Sequence, residues 1–80
     1  MTDEQIYERL NAVFREVFFR DDITVGPQSS AADIAGWDSH KQIEILMTCE
    51  DAFGFQFTSR EIDGLHTVGD LAAVIQARGK

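Results

Sequence analysis

Ser39 is the residue of this chain best placed to take a covalent group. It directly follows Asp38, which the pattern makes the strongest helix cap in the sequence. An aspartate there accepts a hydrogen bond from the backbone N–H of residue 40 or 41 and leaves Ser39 at the first helical position. A hydroxyl so placed is exposed, and a phosphodiester on it would lie near the positive end of the helix dipole. Taken alone, Asp-Ser is also a generic way to open a helix. His40 follows Ser39, which raises a Ser–His catalytic pair, but adjacent helical residues point about 100° apart and do not face each other. Cys49 falls on an apolar helix face and is expected to be a buried small side chain. His66, between Leu65 and Thr67, is expected to be a loop residue, with contact to a bound chain as its other reading. Two His and one Cys lie far apart, and the acids lack the spacing of a calcium loop, so no metal site is expected.

The helix opened by Asp38 runs from Ser39 to about Phe53 and stops at Gly54, the residue type expected just past a helix end. It carries two apolar stripes. Ile45, Leu46, Cys49 and Phe53 share one side, wide enough to be the core contact. Ile43 and Met47 fall on the far side, with Ser39, His40, Glu44, Glu50 and Asp51 around them. A helix of a small bundle needs one buried stripe. A second that mixes apolar and acidic side chains suits partner docking, since the apolar pair supplies buried area and the acids supply orientation. The alternative is that Ile43 and Met47 flank a broad core stripe.

The other elements position that helix. Thr2 or Asp3 caps a first helix whose face is Ile6, Leu10, Val13, Phe14, Val17 and Phe18. Residues Arg20 to Trp37 form a long connection broken by Gly26, Pro27, Ser29 and Ser30. Ile23, Val25, Ile34 and Trp37 can pin it to the core, and it has room for a short helical turn. Thr58 with Glu61, and Thr67 with Asp70, have capping-box spacing. The first pair opens a short helix ending at Gly64. The second opens a last helix with Val68, Leu71, Ala72 and Ile75 on one side. The expectation is an all-α chain, a small irregular four-helix bundle with a long loop between helices 1 and 2 and a short third helix. Residues 1–80 are expected to form a single domain.

Composition narrows the function classes. Hydrophobic residues are 44% of the chain and charged residues 26%, too apolar for disorder. Fourteen Asp and Glu against seven Lys and Arg leave a net charge of −7, which argues against nucleic acid and anionic membranes as partners. That charge favours partners with basic patches, although it also serves solubility. One cysteine permits no internal disulfide. Residues 1–8 carry acids where a signal peptide carries bases, and no apolar run is long enough to span a membrane. A cytoplasmic location and a monomeric state are expected.

The stretch Gly36-Trp37-Asp38-Ser39, then Ile43-Glu44-Ile45-Leu46-Met47, then Glu50-Asp51-Ala52-Phe53-Gly54 resembles the central segment of acyl carrier proteins. In that family an Asp-Ser-Leu motif opens the second helix, and its serine receives 4′-phosphopantetheine from coenzyme A. Asp38 and Ser39 match its first two letters. Glu44 matches the family's glutamate five residues past the serine, Met47 the apolar residue eight past it, and Glu50 and Asp51 the acidic pair eleven and twelve past it. Thr67-Val68-Gly69-Asp70-Leu71 is similar to the family's opening of its fourth helix. His40 departs from the usual Leu at a position that helps dock partners, which hints at a specialised carrier.

The resemblance implies a carrier and not a catalyst. A phosphopantetheinyl transferase would modify Ser39, and acyl-loading and acyl-processing enzymes with basic docking patches would meet His40, Ile43, Glu44, Met47, Glu50 and Asp51. The cargo would be an acyl group of a fatty-acid, polyketide or specialised pathway. An aminoacyl or peptidyl carrier, a helical interaction module without a prosthetic group and, more distantly, a hydrolase are the rival readings.

Overall fold

A computed structural model of the chain describes residues 2–79. Four helices are present: α1 (Asp3–Phe18), α2 (Ser39–Phe53), α3 (Ser59–Asp63) and α4 (Val68–Arg78). No strand occurs among the described residues. The expected order, the long connection and the short third helix are all observed.

Local chemistry sets most helix ends. Thr2 caps α1 through a reciprocal pair: Gln5 N–H donates to Thr2 Oγ1 at 3.2 Å, and Thr2 N–H donates to Gln5 Oε1 at 3.0 Å. The same box opens α3 from Thr58 and Glu61, and α4 from Thr67 and Asp70. α2 ends at Gly54 in the left-handed conformation, φ 73°. α1 ends in the same way, but on a phenylalanine. Phe19 has φ 54° and ψ 43°, and Arg20 N–H donates back to Arg15 O at 3.0 Å. Glycine adopts this conformation freely, whereas a side chain there costs about 1–2 kcal/mol.

α1 packs against α2 and α4. Their shared core contains Ile6, Leu10 and Phe14 of α1, Ile45, Cys49 and Phe53 of α2, and Val68 and Ile75 of α4, all essentially fully buried. Each large apolar side chain in that position contributes on the order of 1.5–3 kcal/mol. The apolar faces read from the sequence are therefore the buried faces, except that Phe18 lies at the core's edge.

The long connection forms turns rather than a helical turn, and it is anchored twice. Ile23 and Val25 are buried. Beside them Arg15 Nε donates to Ile23 O at 2.8 Å, and Val25 N–H donates to Asn11 Oδ1 at 2.7 Å. Further on, Val68 N–H donates to Ser29 O at 2.8 Å and Gly69 N–H to Pro27 O at 3.0 Å. A Cβ on Gly69 would stand 2.5 Å from Pro27 O, so only glycine permits this approach. Ile34 and Trp37 then rest on the core and return the chain to α2.

Candidate functional site

The start of α2 is held from both sides of the peptide Asp38-Ser39. Upstream, the Trp37 ring meets Phe14 edge-on at 5.2 Å between centroids, and its Nε1–H donates to Gln42 Oε1 at 2.8 Å. Downstream, Lys41 N–H donates to Asp38 Oδ1 at 2.9 Å, the bond expected of an N-cap. That backbone bond holds the Asp38 carboxyl below the usual aspartate range. Between these anchors Ser39 is exposed, and His40 is exposed beside it.

Lys41, one residue on, does not add its charge to the N-terminus of α2. Its Nζ donates to Val17 O and to Glu44 Oε2, each at 3.2 Å. It also lies 5.9 Å and 5.8 Å from the centroids of Phe18 and Phe19. The ammonium thus sits over the last turn of α1, where a helix dipole favours a cation.

The second stripe of α2 is on the surface. Ile43 is 58% exposed and Met47 62%, so neither flanks the core. Asp51 is exposed near them, and Glu44 is half-buried in its pair with Lys41. Glu50 has a different position: its Oε2 accepts from Phe57 N–H at 2.8 Å, fastening the connection between α2 and α3. Cys49 faces the core, and burial pushes its thiol up to about 12.

Ser39 and Asp38 help line a cleft of about 570 Å³ between α2 and the α3–α4 region. Its walls are largely apolar, formed by Trp37, Ile43, Ile62, Leu65, Val68 and Leu71. Gln42, His66 and Thr67 supply polar atoms at its lining. His66 is exposed, and its backbone N–H donates to Asp70 Oδ2 at 3.0 Å. That bond and a second from Thr67 N–H, at 3.1 Å, hold the Asp70 carboxyl low.

The sequence reading placed Ser39 and Ile43 on the second helix and His66 in a loop more than twenty residues on; the fold lines one cleft with all three. It missed Gln42, Ile62 and Leu65 as cleft residues. Ile62 and Leu65 have the i, i+3 spacing that could have flagged them, but not the direction they face. Among the described residues, no group of three or more His, Cys, Asp and Glu side chains could hold a metal ion. No described helix is long and apolar enough to cross a membrane.

The residues fit a covalent arm: an exposed hydroxyl, a capped helix start and an apolar recess adjoin one another. The family model described as "Phosphopantetheine attachment site" matches residues 8–75. The chain is 35% identical over 75 residues to a protein of Mycolicibacterium smegmatis named meromycolate extension acyl carrier protein, covering 94% of this chain and 76% of that one. A protein of the same name from Mycobacterium tuberculosis is 32% identical over 76 residues, which are 95% of this chain and 66% of that one. A solution NMR structure of a holo acyl carrier protein from Geobacter metallireducens superposes with a TM-score of 0.84 at 32% identity, over 89% of this chain and 82% of that one.

Proposed function

The chain belongs to the phosphopantetheine-carrying acyl carrier proteins, and from that premise we propose that Ser39 is its attachment residue and that the exposed face of α2 is where its enzymes dock. The prosthetic group is 4′-phosphopantetheine, whose terminal thiol holds an acyl group as a thioester. The protein is a carrier and not a catalyst, and it works with a phosphopantetheinyl transferase and acyl-processing enzymes.

The observation that carries the reading is the position of Ser39, exposed at the Asp38-capped start of α2 and among the residues that line an apolar cleft. Asp38 fixes the first turn so that the hydroxyl faces outward while the helix N-terminus stays beside it. Ile43 and Met47 offer apolar area to a partner, and Asp51 with Glu44 offers charge to a basic one. Glu50 supports this face by holding the α3 connection. The apolar walls beside Ser39 favour an acyl chain over an aminoacyl group as cargo. The relatives' name, meromycolate extension acyl carrier protein, agrees with a specialised acyl pathway. The same acidic face repels its own copy, which supports a monomer, and a chain with a single buried cysteine suits the cytoplasm.

The test is intact mass after incubation with coenzyme A and a broad-specificity phosphopantetheinyl transferase. The wild-type chain should gain one phosphopantetheine and Ser39→Ala none. A modified alanine variant would place the attachment elsewhere.

A further inference from the structure

Phe19 is the most exposed large apolar side chain among the described residues, at 89%. It also occupies a left-handed backbone position, φ 54°, that disfavours any side chain. Folding recovers little from it, because the ring buries almost no area against this chain. An outlier of this kind, retained without a packing return, points to a use outside the folded monomer.

The surroundings say where that use lies. The Lys41 ammonium is 5.8 Å from the Phe19 centroid, and it is hydrogen-bonded to Val17 O and Glu44. Lys41 lies two residues past Ser39, and its ammonium ties the ring to the first turn of α2 through that one side chain. The same ammonium stands 3.2 Å from the Glu44 carboxylate. The Lys41 ammonium is neutralised within the chain by Glu44, and Arg20, next to Phe19 in sequence, is paired with Asp22 at 2.9 Å. Glu16 and Asp21, on either side of Phe19 in sequence, are exposed. An exposed aromatic in an acidic surround complements an apolar recess with a basic rim.

We propose that Phe19 is a docking anchor for the phosphopantetheinyl transferase that loads this chain, extending the contact face from α2 onto the C-terminal end of α1. The proposal rests on the reading of Ser39 as attachment residue and of the α2 stripe as docking face. A buried aromatic anchor is the type of residue that dominates an interface, and its loss acts through complex formation.

The decisive variant is Phe19→Gly, which removes the ring and relieves the backbone. With coenzyme A and the transferase of the same genome, its KM for the carrier should rise about tenfold with kcat nearly unchanged. Its thermal midpoint should rise above wild type, a gain in stability accompanied by a loss of recognition that a purely structural residue would not show. Phe19→Leu should fall between the two in KM. An unchanged KM for Phe19→Gly overturns the proposal. Met47→Ala and Ser39→Ala, assayed alongside, separate that failure from others: Met47→Ala with a raised KM leaves the α2 face standing without Phe19. Mass gain on Ser39→Ala would instead refute the attachment reading.

Discussion

The first turns of α2 and α4 face opposite demands. α4 is sealed: Thr67 and Asp70 close a full capping box, and Val68 and Gly69 give their N–H groups to the carbonyls of Ser29 and Pro27. α1 and α3 carry the same reciprocal box. α2 has half of one. Asp38 accepts from Lys41 N–H, but the residue that should return the bond is a lysine, and no acid lies in the first turn. The lysine side chain is then drawn away to the end of α1. A sealed N-terminus serves the fold. One that is capped but otherwise free of acids keeps its positive end available to an anion, which suits a phosphodiester on Ser39. The contrast is between a helix start whose donors are consumed by the chain and one whose field is left for a ligand.

The strongest test of the sealed end is Gly69→Ala. The added methyl meets backbone rather than a movable side chain, so the loop must shift or the helix start must open. A loss of about 2 kcal/mol is expected by denaturant titration, with modification of Ser39 by the transferase little changed once the protein is folded. A neutral result would mean that the loop anchor on α4 is loose. Next in size, Thr67→Ala removes the hydroxyl that accepts from Asp70 N–H while its own N–H still donates to Asp70, and it should cost about 1 kcal/mol without slowing modification. Asp38→Ala also removes one acceptor and should cost a similar amount, yet it should slow modification more. Equal behaviour of the two in the modification assay would erase the distinction drawn between these ends.

Lys41→Glu converts the start of α2 into the form of the other three. It should lower stability by about 1 kcal/mol or less, because a new capping bond offsets only part of the lost contacts to Val17 O and Glu44. It should slow modification several-fold, because an acid in the first turn competes with the phosphodiester and repels it. A faster rate would contradict the role assigned to the open end. The smallest effect is the pH response. Asp38, Glu61 and Asp70 have carboxyls held below their ordinary values of 3.8, 4.5 and 3.8 by backbone hydrogen bonds. A group lowered in the folded state binds its proton more readily when unfolded, so its stabilisation is complete above the ordinary value. It is lost as pH falls from there through the folded value. Thermal midpoints should therefore be flat with respect to these groups near neutrality and decline below about pH 4. Asp70→Asn and Asp38→Asn should each flatten that decline, since each carboxyl is held low by backbone N–H groups.

The helix ends and the buried faces could be read from the sequence because both are local. A capping box needs residues three apart, and an apolar stripe needs only helical spacing, so Thr58 with Glu61 and Ile45 with Leu46, Cys49 and Phe53 declared themselves without reference to the rest of the chain. Ser39 was legible for the same reason, as the residue after a cap. What spacing leaves open is the partner of each polar group across the fold. Lys41 stands by sequence in the first turn of α2, and packing of α1 against α2 carried its ammonium to the Val17 carbonyl in the last turn of α1. Glu50 read as a surface acid, and the turn after α2 brought Phe57 N–H to it. Phe19 had no place on the apolar face read from spacing, and the left-handed turn after α1 put its ring in solvent. The cleft beside Ser39 joins residues more than twenty apart, Ile43 with Leu65 and His66. Those pairings depend on the angle and distance at which helices meet, which side chains from every element settle together, and that is why only the tertiary structure decided them.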